Sequence, residues 1–299
     1  MDINGIKELE RRDTVRVASK KQQQRSVKLL IYIFLIAGSF IMIVPFVWMI
    51  VTSFKPLDEI NTYPPSFFIR KPTIAAYLEL FRIIPMGRYF LNSLFATTAI
   101  TLANIFFCSL AGYAFAKHRF FGRDKLFLLL VGSMMIPWQV NLITSFVIVK
   151  KLGWLNSFYG LIIPAMSGAF GIFLMRQFIM NIPDDLIDAA KIDGCSEFTI
   201  YRRVILPLIQ PALASLAIFT FMAQWNNFVW PLVIIYSSKM RTIPLALSVL
   251  NGQFGTNFAM VMAGAVVATA AVLVVFIAFQ KYFVKDIALT GLKAGRMKK

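Results

Sequence analysis

The chain has 299 residues, of which 58% are hydrophobic and only 15% are charged, and its mean hydropathy is +0.70. Soluble domains contain about 45–50% apolar and about 25% charged residues, so the composition excludes a solvated enzyme domain and a disordered chain. The formal net charge of +17 also occurs in nucleic-acid-binding domains. Here the basic residues lie between long apolar stretches, and we do not expect nucleic acid as a partner. The class that remains is a polytopic helical membrane protein.

Six intervals of the chain contain no Asp, Glu, Lys, Arg or His. A spanning helix needs about 20 predominantly apolar residues, and every interval exceeds that length. We therefore predict an all-α integral membrane protein with six transmembrane helices. The intervals are residues 29–54, 89–116, 126–149, 152–175, 204–238 and 242–280.

The distribution of basic residues predicts the orientation of these helices. If the N-terminus is cytoplasmic, the cytoplasmic segments carry 22 of the 31 Lys and Arg residues and the outer segments carry 9. Because cytoplasmic loops carry the excess of Lys and Arg, both termini are expected in the cytoplasm. We divide the chain into a basic N-terminal segment (1–28), a transmembrane domain (29–284) and a cytoplasmic tail (285–299).

The six intervals contain no acidic, basic or histidine side chain with which to carry ions or perform catalysis. Ion-coupled carriers place such groups near the bilayer midplane. A stand-alone secondary carrier and a membrane-embedded enzyme are therefore the less favoured alternatives. We expect no catalytic residue and no metal site in this chain, and Cys108 and Cys195 are not expected to form a disulfide.

The most informative segment is the cytoplasmic loop at about 181–207. Pro183 and the acidic residues after it are typical of a helix start, and Gly194 suits the position after a helix where φ is positive. Ser196 is expected to cap a second short helix that continues to Pro207. The loop is expected to present a small, smooth face formed by Ala189, Ala190 and Gly194. Such a face favours docking to another protein over a plain solvated connector.

The same loop resembles the EAA signature of binding-protein-dependent ABC importer permeases, whose pattern is roughly Glu-Ala-Ala-x-x-Asp-Gly-Ala, then hydrophobic residues, then Leu-Pro. Asp188 stands in place of the glutamate and Cys195 in place of the last alanine. Further segments, among them 112–117, 134–137 and 225–232, resemble the carbohydrate-uptake (maltose-type) branch of these permeases. The resemblance covers about residues 50 to 293, and it implies the type I importer permease fold.

By this resemblance, the first helix of the loop is a coupling helix that sits in a cleft of a cytoplasmic ATPase. The resemblance implies a heterodimer with a second permease subunit, two ATPase subunits that use ATP and Mg²⁺, and an extracytoplasmic solute-binding protein. It also implies a bacterial inner membrane location, no cofactor bound by this chain, and a sugar or oligosaccharide as the solute, with a peptide or other non-sugar solute as the alternative. The coupling residues that it implies are Asp188, Ala189, Ala190, Asp193, Gly194, Ser196, Phe198 and Pro207.

The fifth interval predicts where the solute passes. Its 35 residues would extend roughly 50 Å as one helix, which exceeds the roughly 30 Å hydrocarbon core. Pro231 favours a break near Asn226 and Asn227, because proline removes a backbone hydrogen bond. Freed backbone groups at membrane depth need protein or water, so we expect an aqueous path there; interfacial anchoring and hydrogen bonding between helices remain alternatives. The expected pathway residues are Gln224, Trp225, Asn226, Asn227 and Trp230.

Overall fold

A computed structural model describes the backbone of residues 3–254, 257–270, 272–274 and 276–277. Every regular element in these residues is helical, as predicted. Short 3-10 turns at Trp138–Asn141, Ile163–Ala165 and Ser238–Met240 separate some of the helices. The α-helices are α1 (Ile3–Ser53), α2 (Leu57–Ile60), α3 (Ala75–Ile83), α4 (Met86–Lys117), α5 (Arg123–Ser133), α6 (Leu142–Lys151), α7 (Phe158–Ile162), α8 (Ala169–Met180), α9 (Asp185–Ile192), α10 (Glu197–Ile200), α11 (Leu206–Leu208), α12 (Gln210–Trp225), α13 (Val229–Ile234) and α14 (Ile243–Phe254).

Several of these helices are long and apolar enough to cross a membrane. In the part of the chain that the structure describes, three segments meet this condition alone, namely Val27–Ser53, Met86–Lys117 and Phe158–Met180, and there are up to five if each of two sharply bent helix pairs is one span. The interval 242–280 contains α14 and the helical residues 258–270, and its end lies outside the described residues. The tail at 285–299 also lies outside them, so six spans and the orientation of the termini stay predictions.

Helix α1 runs across the boundary between the basic N-terminal segment (1–28) and the first predicted span. The helix is continuous from Ile3 to Ser53, and Pro45 lies inside it. Most of its apolar part is exposed, and it meets the rest of the chain only near its end, where Ser53 is buried and its hydroxyl lies 2.8 Å from that of Tyr77. The N-terminal segment and the first span therefore share one uninterrupted backbone helix.

Helix α4 is the central element, and it packs most extensively against α8 and α12. Glycines permit the close approach of α8. A Cβ atom on Gly112 would lie 2.6 Å from Cβ of Met175, and one on Gly171 would lie 2.7 Å from Sγ of Cys108. Small residues at such positions allow two membrane helices to bring their backbones together. The two glycines therefore set the short distance between α4 and α8.

Two of the predicted intervals are helical but sharply bent. The helical segments Arg123–Ser133 and Trp138–Lys151 meet at 94°, with Pro137 at the break. The segments Glu197–Leu208 and Gln210–Trp225 meet at 81° around Ile209. Prolines remove backbone donors and π-helical turns interrupt the regular ladder, and both are present before the second bend. The sequence analysis expected neither of these bends.

Candidate functional sites

The loop at residues 181–207, which we call the coupling loop after its predicted role, begins with the short helix α9 and a glycine turn. Gly194 has φ of +75°. Its amide donates to the Lys191 carbonyl, and the Cys195 amide donates to the Ala190 carbonyl, both at 3.0 Å. This pair of bonds is a Schellman motif, which ends a helix at a left-handed residue. The predicted positive φ at Gly194 is confirmed.

The second half of the loop is capped by a serine and contains a π-helical turn. The Ser196 hydroxyl oxygen accepts from the Thr199 amide at 3.3 Å, so the predicted cap of α10 is present. The chain then passes through a π-helical turn at Tyr201–Ile205, in which the Leu206 amide donates to the Tyr201 carbonyl. Pro207, near the start of α11, follows directly. Two short helices joined at a glycine, as predicted, therefore form the loop.

The structure corrects which residues of α9 face outward. Ala190 is buried together with Ile187, because the spacing of three residues places both on one face of α9, and both belong to the buried cluster that includes Ile200 and Ile205. Ala189 is exposed, so the predicted smooth face contains only one of the two alanines. The outward surface, which we call the docking face, is more apolar than expected. It consists of the exposed residues Leu186, Asp188, Ala189, Ile192, Asp193, Gly194 and Phe198.

A lysine at the end of α4 holds the start of this loop. The Lys117 ammonium donates to Oδ1 of Asp184 and to the Ile182 carbonyl, both at 2.6 Å, and its side chain is only 8% exposed. The hydrogen bond and the charge of Lys117 lower the pKa of the Asp184 carboxyl below its usual value. The carboxylate is therefore ionised at neutral pH, and the buried ammonium is paired.

The second site is a cavity of about 630 Å³, which we call the polar cavity. It lies where three helical segments are interrupted: after Pro137, around Pro164, and between α12 and α13. The residues that line it are Trp138, Asn141, Leu142, Ser145, Pro164, Ala165, Ala223, Gln224, Asn226, Asn227, Phe228, Val229 and Trp230. Four of the five predicted pathway residues are therefore together around one cavity.

The amide side chains at this cavity hold the broken helix end and retain free polar groups. Asn226 donates to the Met222 carbonyl at 2.8 Å, and Asn227 donates to Oε1 of Gln224 at 3.4 Å. The Oδ1 atom of Asn227 accepts from the Trp230 amide at 3.3 Å. Among the described residues, Oδ1 of Asn226 and the amide nitrogen of Gln224 have no hydrogen-bond partner, so they are available to a bound molecule.

The two predicted tryptophans differ in their positions. Trp225 is outside the cavity lining; its indole N–H donates to the Ala268 carbonyl at 3.2 Å and its ring stacks on Phe221. Trp230 lines the cavity, and its indole N–H donates to the buried Gly160 carbonyl at 2.9 Å. Trp225 therefore fixes α12 against the helical residues 258–270, whereas Trp230 fixes α13 against α7.

The sequence analysis missed the opposite wall of the cavity. Trp138 and Asn141, in the 3-10 turn between α5 and α6, line it together with Ser145 of α6, and Trp138 is 49% exposed. A signal was available, because Pro137 precedes Trp138 in an interval that was treated as one span. A proline there predicts a break in the same way as Pro231 does.

These features define a multi-pass helical membrane protein that contains the polar cavity and presents a folded loop beyond the end of α4. Residues 105–289 match the family described as binding-protein-dependent transport system inner membrane component. The chain belongs to this family, which confirms the resemblance found from the sequence.

Individual relatives agree with this assignment. The chain is 33% identical to the arabinooligosaccharides transport system permease protein of Halalkalibacterium halodurans, over 85% of this chain and 92% of the relative. It is 32% identical to the trehalose/maltose transport system permease protein of Thermococcus litoralis, over 89% and 96%. A solved bacterial ABC transporter involved in the import of the acidic polysaccharide alginate has the same fold, with a TM-score of 0.76 at 22% identity, over 87% of this chain and 97% of that chain.

Proposed function

We propose that this chain is a permease subunit of an ATP-driven importer, and that it carries a sugar or oligosaccharide across the bacterial inner membrane. Named relatives that transport arabinooligosaccharides and trehalose or maltose support this solute class. The observation that carries the proposal is the polar cavity. Its volume of about 630 Å³ lies within the range of about 300–1,000 Å³ that is usual for small-molecule sites.

The lining of the cavity suits a sugar. Sugar hydroxyls need both donors and acceptors, and the free oxygen of Asn226 and the free amide nitrogen of Gln224 supply one of each. Trp138 on the opposite wall offers an exposed aromatic ring, against which the apolar face of a sugar packs. Asn141 adds a third side-chain amide, and neither of its polar atoms has a hydrogen-bond partner among the described residues. We therefore propose Gln224, Asn226, Asn227 and Trp230 as pathway residues, with Trp225 acting through helix packing.

We further propose that the docking face of the coupling loop binds an ATPase subunit. Its exposed apolar residues, Leu186 and Ile192, lie beside the acidic Asp188 and Asp193, and an exposed apolar patch with a polar rim is typical of a protein contact. A second permease, two ATPase subunits and an extracytoplasmic binding protein complete the importer, and ATP and Mg²⁺ are used by the ATPases. In this assembly the chain has six spans with both termini in the cytoplasm.

Uptake by the reconstituted complex tests the proposal. The chain is purified with the subunits that accompany it from its native cell, placed in liposomes with its binding protein, and supplied with ATP. Labelled arabinotriose, trehalose, maltose and an alginate trisaccharide are the probes, beside a dipeptide. ATP-dependent uptake of at least one of the sugars is expected, whereas uptake of the dipeptide alone would contradict the sugar assignment.

The role of the cavity is tested by Asn226→Leu together with Asn227→Leu, and by Asn226→Leu alone. Loss of the amide groups is expected to lower uptake about tenfold, which is the effect of losing one well-made polar contact, while the complex still assembles. Asn251→Leu, which changes an exposed amide on α14 outside the cavity, is the matched control. Unchanged uptake in the double variant would refute the role of the cavity.

A further inference from the structure

Three polar side chains on one face of α4 bind the coupling loop. Ser109, Tyr113 and Lys117 follow one another at intervals of four residues, so they lie one helical turn apart on the same face. We call this set the α4 stripe. Each member makes a hydrogen bond to a different part of the loop. These contacts are additional to the backbone, which connects the loop to α8 and α12.

The first contact lies deepest in the structure. The Ser109 and Tyr201 hydroxyl oxygens are 2.7 Å apart in a buried position. Ser109 donates its own hydrogen to the Ile105 carbonyl at 2.5 Å, and a serine hydroxyl has a single hydrogen to donate. Tyr201 is therefore the donor in this bond. Because Tyr201 begins the π-helical turn of the loop, this bond attaches the turn to α4.

The second contact centres on Glu197, the first residue of α10. Its Oε2 atom accepts from the Tyr113 hydroxyl at 3.0 Å and lies 3.5 Å from Nε2 of His118. Its Oε1 atom lies 3.3 Å from Nζ of Lys191, which is in the last turn of α9. One carboxylate therefore joins α4 to both helices that flank the turn at Gly194.

The third contact is that of Lys117 with Asp184 and the Ile182 carbonyl at the start of α9, described above. Both ends of α9 are therefore bonded to α4: the first end directly through Lys117, and the second through Glu197 and Lys191. The side chains at the two ends are mostly charged, and hydrogen bonds to charged groups are stronger and more directional than those between neutral groups.

We propose that the α4 stripe and Glu197 position the coupling helix, so that a displacement of α9 by the ATPase moves α4 with it and does not merely flex the loop. This inference rests on the proposed function. At the opposite end of α4, Asn92 donates to the Lys239 and Arg241 carbonyls, at 2.9 and 3.0 Å, and Ser93 accepts from the Ile243 amide at 2.8 Å. Through α4, the displacement is therefore expected to reach residues 239–243, which are bonded to the opposite end of this helix.

The number of ATP molecules hydrolysed per sugar transported measures this role. In the reconstituted complex, Glu197→Gln and Lys117→Met are expected to raise this ratio about tenfold, the size of one lost charge-assisted hydrogen bond, while the rate of ATP hydrolysis is retained. Lys125→Met is the matched control, because Lys125 is an exposed cytoplasmic lysine that makes no ion pair within the described residues. The sugar used is the member of the probe panel that the wild-type complex transports.

A double variant separates positioning from general stability. Tyr113→Phe removes only the hydroxyl, so it is expected to raise the ratio by itself and to add little when combined with Glu197→Ala, which removes the acceptor of the same bond. Independent effects would add. Tyr159→Phe, at an exposed tyrosine on α7, is the control for the loss of a hydroxyl.

The possible results are distinct. A raised ratio with all subunits still bound supports the inference. Variants that match Lys125→Met overturn it, and so do variants in which hydrolysis and transport fall together as subunits are lost, because that result shows a structural role only. If the wild-type complex shows no ATP-dependent uptake, the proposed function fails before any variant is compared, and the inference fails with it.

Discussion

Replacing Gly112 with alanine tests how closely α4 and α8 must approach. The added Cβ would lie 2.6 Å from Cβ of Met175 and 2.9 Å from the backbone nitrogen of Arg176. Ordinary contact begins at 3.4 Å, so the two helices must separate by about 0.8 Å. Neither obstructing atom is the end of a flexible side chain, and overpacking of this kind costs about 1–3 kcal/mol. We expect Gly112→Ala to lower the thermal midpoint of the purified complex.

Gly132→Ala is the control that isolates the clash. Gly132 is a helical residue of α5, and a Cβ there meets no atom within 4 Å. Both changes gain the same helix propensity, about 1 kcal/mol, so the difference between the two variants reports the clash alone, at about 1–3 kcal/mol. The midpoint is followed by loss of monodisperse protein on size-exclusion chromatography after heating. If Gly112→Ala proves as stable as Gly132→Ala, the helix spacing described here is incorrect.

Three further changes are expected to have measurable effects. Trp230→Phe leaves the buried Gly160 carbonyl without its 2.9 Å bond, which costs about 1–3 kcal/mol, and the thermal midpoint should fall; no change would mean that the indole bond is not formed. Gly194→Val should reduce uptake sharply while the protein still inserts, because a β-branched residue is strained at positive φ. Gly194→Asn should retain most uptake, because asparagine tolerates this conformation. Equal effects of the two variants would exclude backbone strain as the cause. Asn92→Leu loses both bonds to residues 239–241 and should lower the thermal midpoint, measured against wild type; an unchanged midpoint would show that these bonds add no stability.

Local features of the coupling loop were predictable because their causes lie within a few residues. The turn at Gly194 and the cap at Ser196 depend on backbone groups that the segment itself supplies. The direction of Ala190 was not predictable in this way, because it depends on a buried cluster whose other members, among them Ile200 and Ile205, lie beyond the turn. The hydrogen bonds from α4 to the loop were missed for the same reason, since Glu197 and Tyr113 are distant in sequence. The four-residue spacing of the α4 stripe does not predict a function until the loop is known to lie beside it.

Prolines in the charge-free intervals predict some of the helix interruptions around the polar cavity, but not every proline marks an interruption. Pro137, Pro164 and Pro231 each lie in a different charge-free interval, and each accompanies an interruption that lines the cavity or lies within it. Pro45 also lies in such an interval, yet α1 continues through it as an unbroken helix. A proline alone therefore does not predict an interruption.

The difference lies in what surrounds the proline. Amide residues accompany two of the three breaks, at Asn141 and at Asn226 with Asn227, whereas the residues around Pro45 are apolar. Backbone groups that a break sets free at membrane depth must be covered by protein or reached by water. Three breaks that surround one polar cavity can share the same cover of protein and water. A single break in the isolated apolar helix α1 would leave its backbone groups without that cover. The same requirement therefore gathers the interruptions around one cavity, where polar side chains and apolar rings lie side by side.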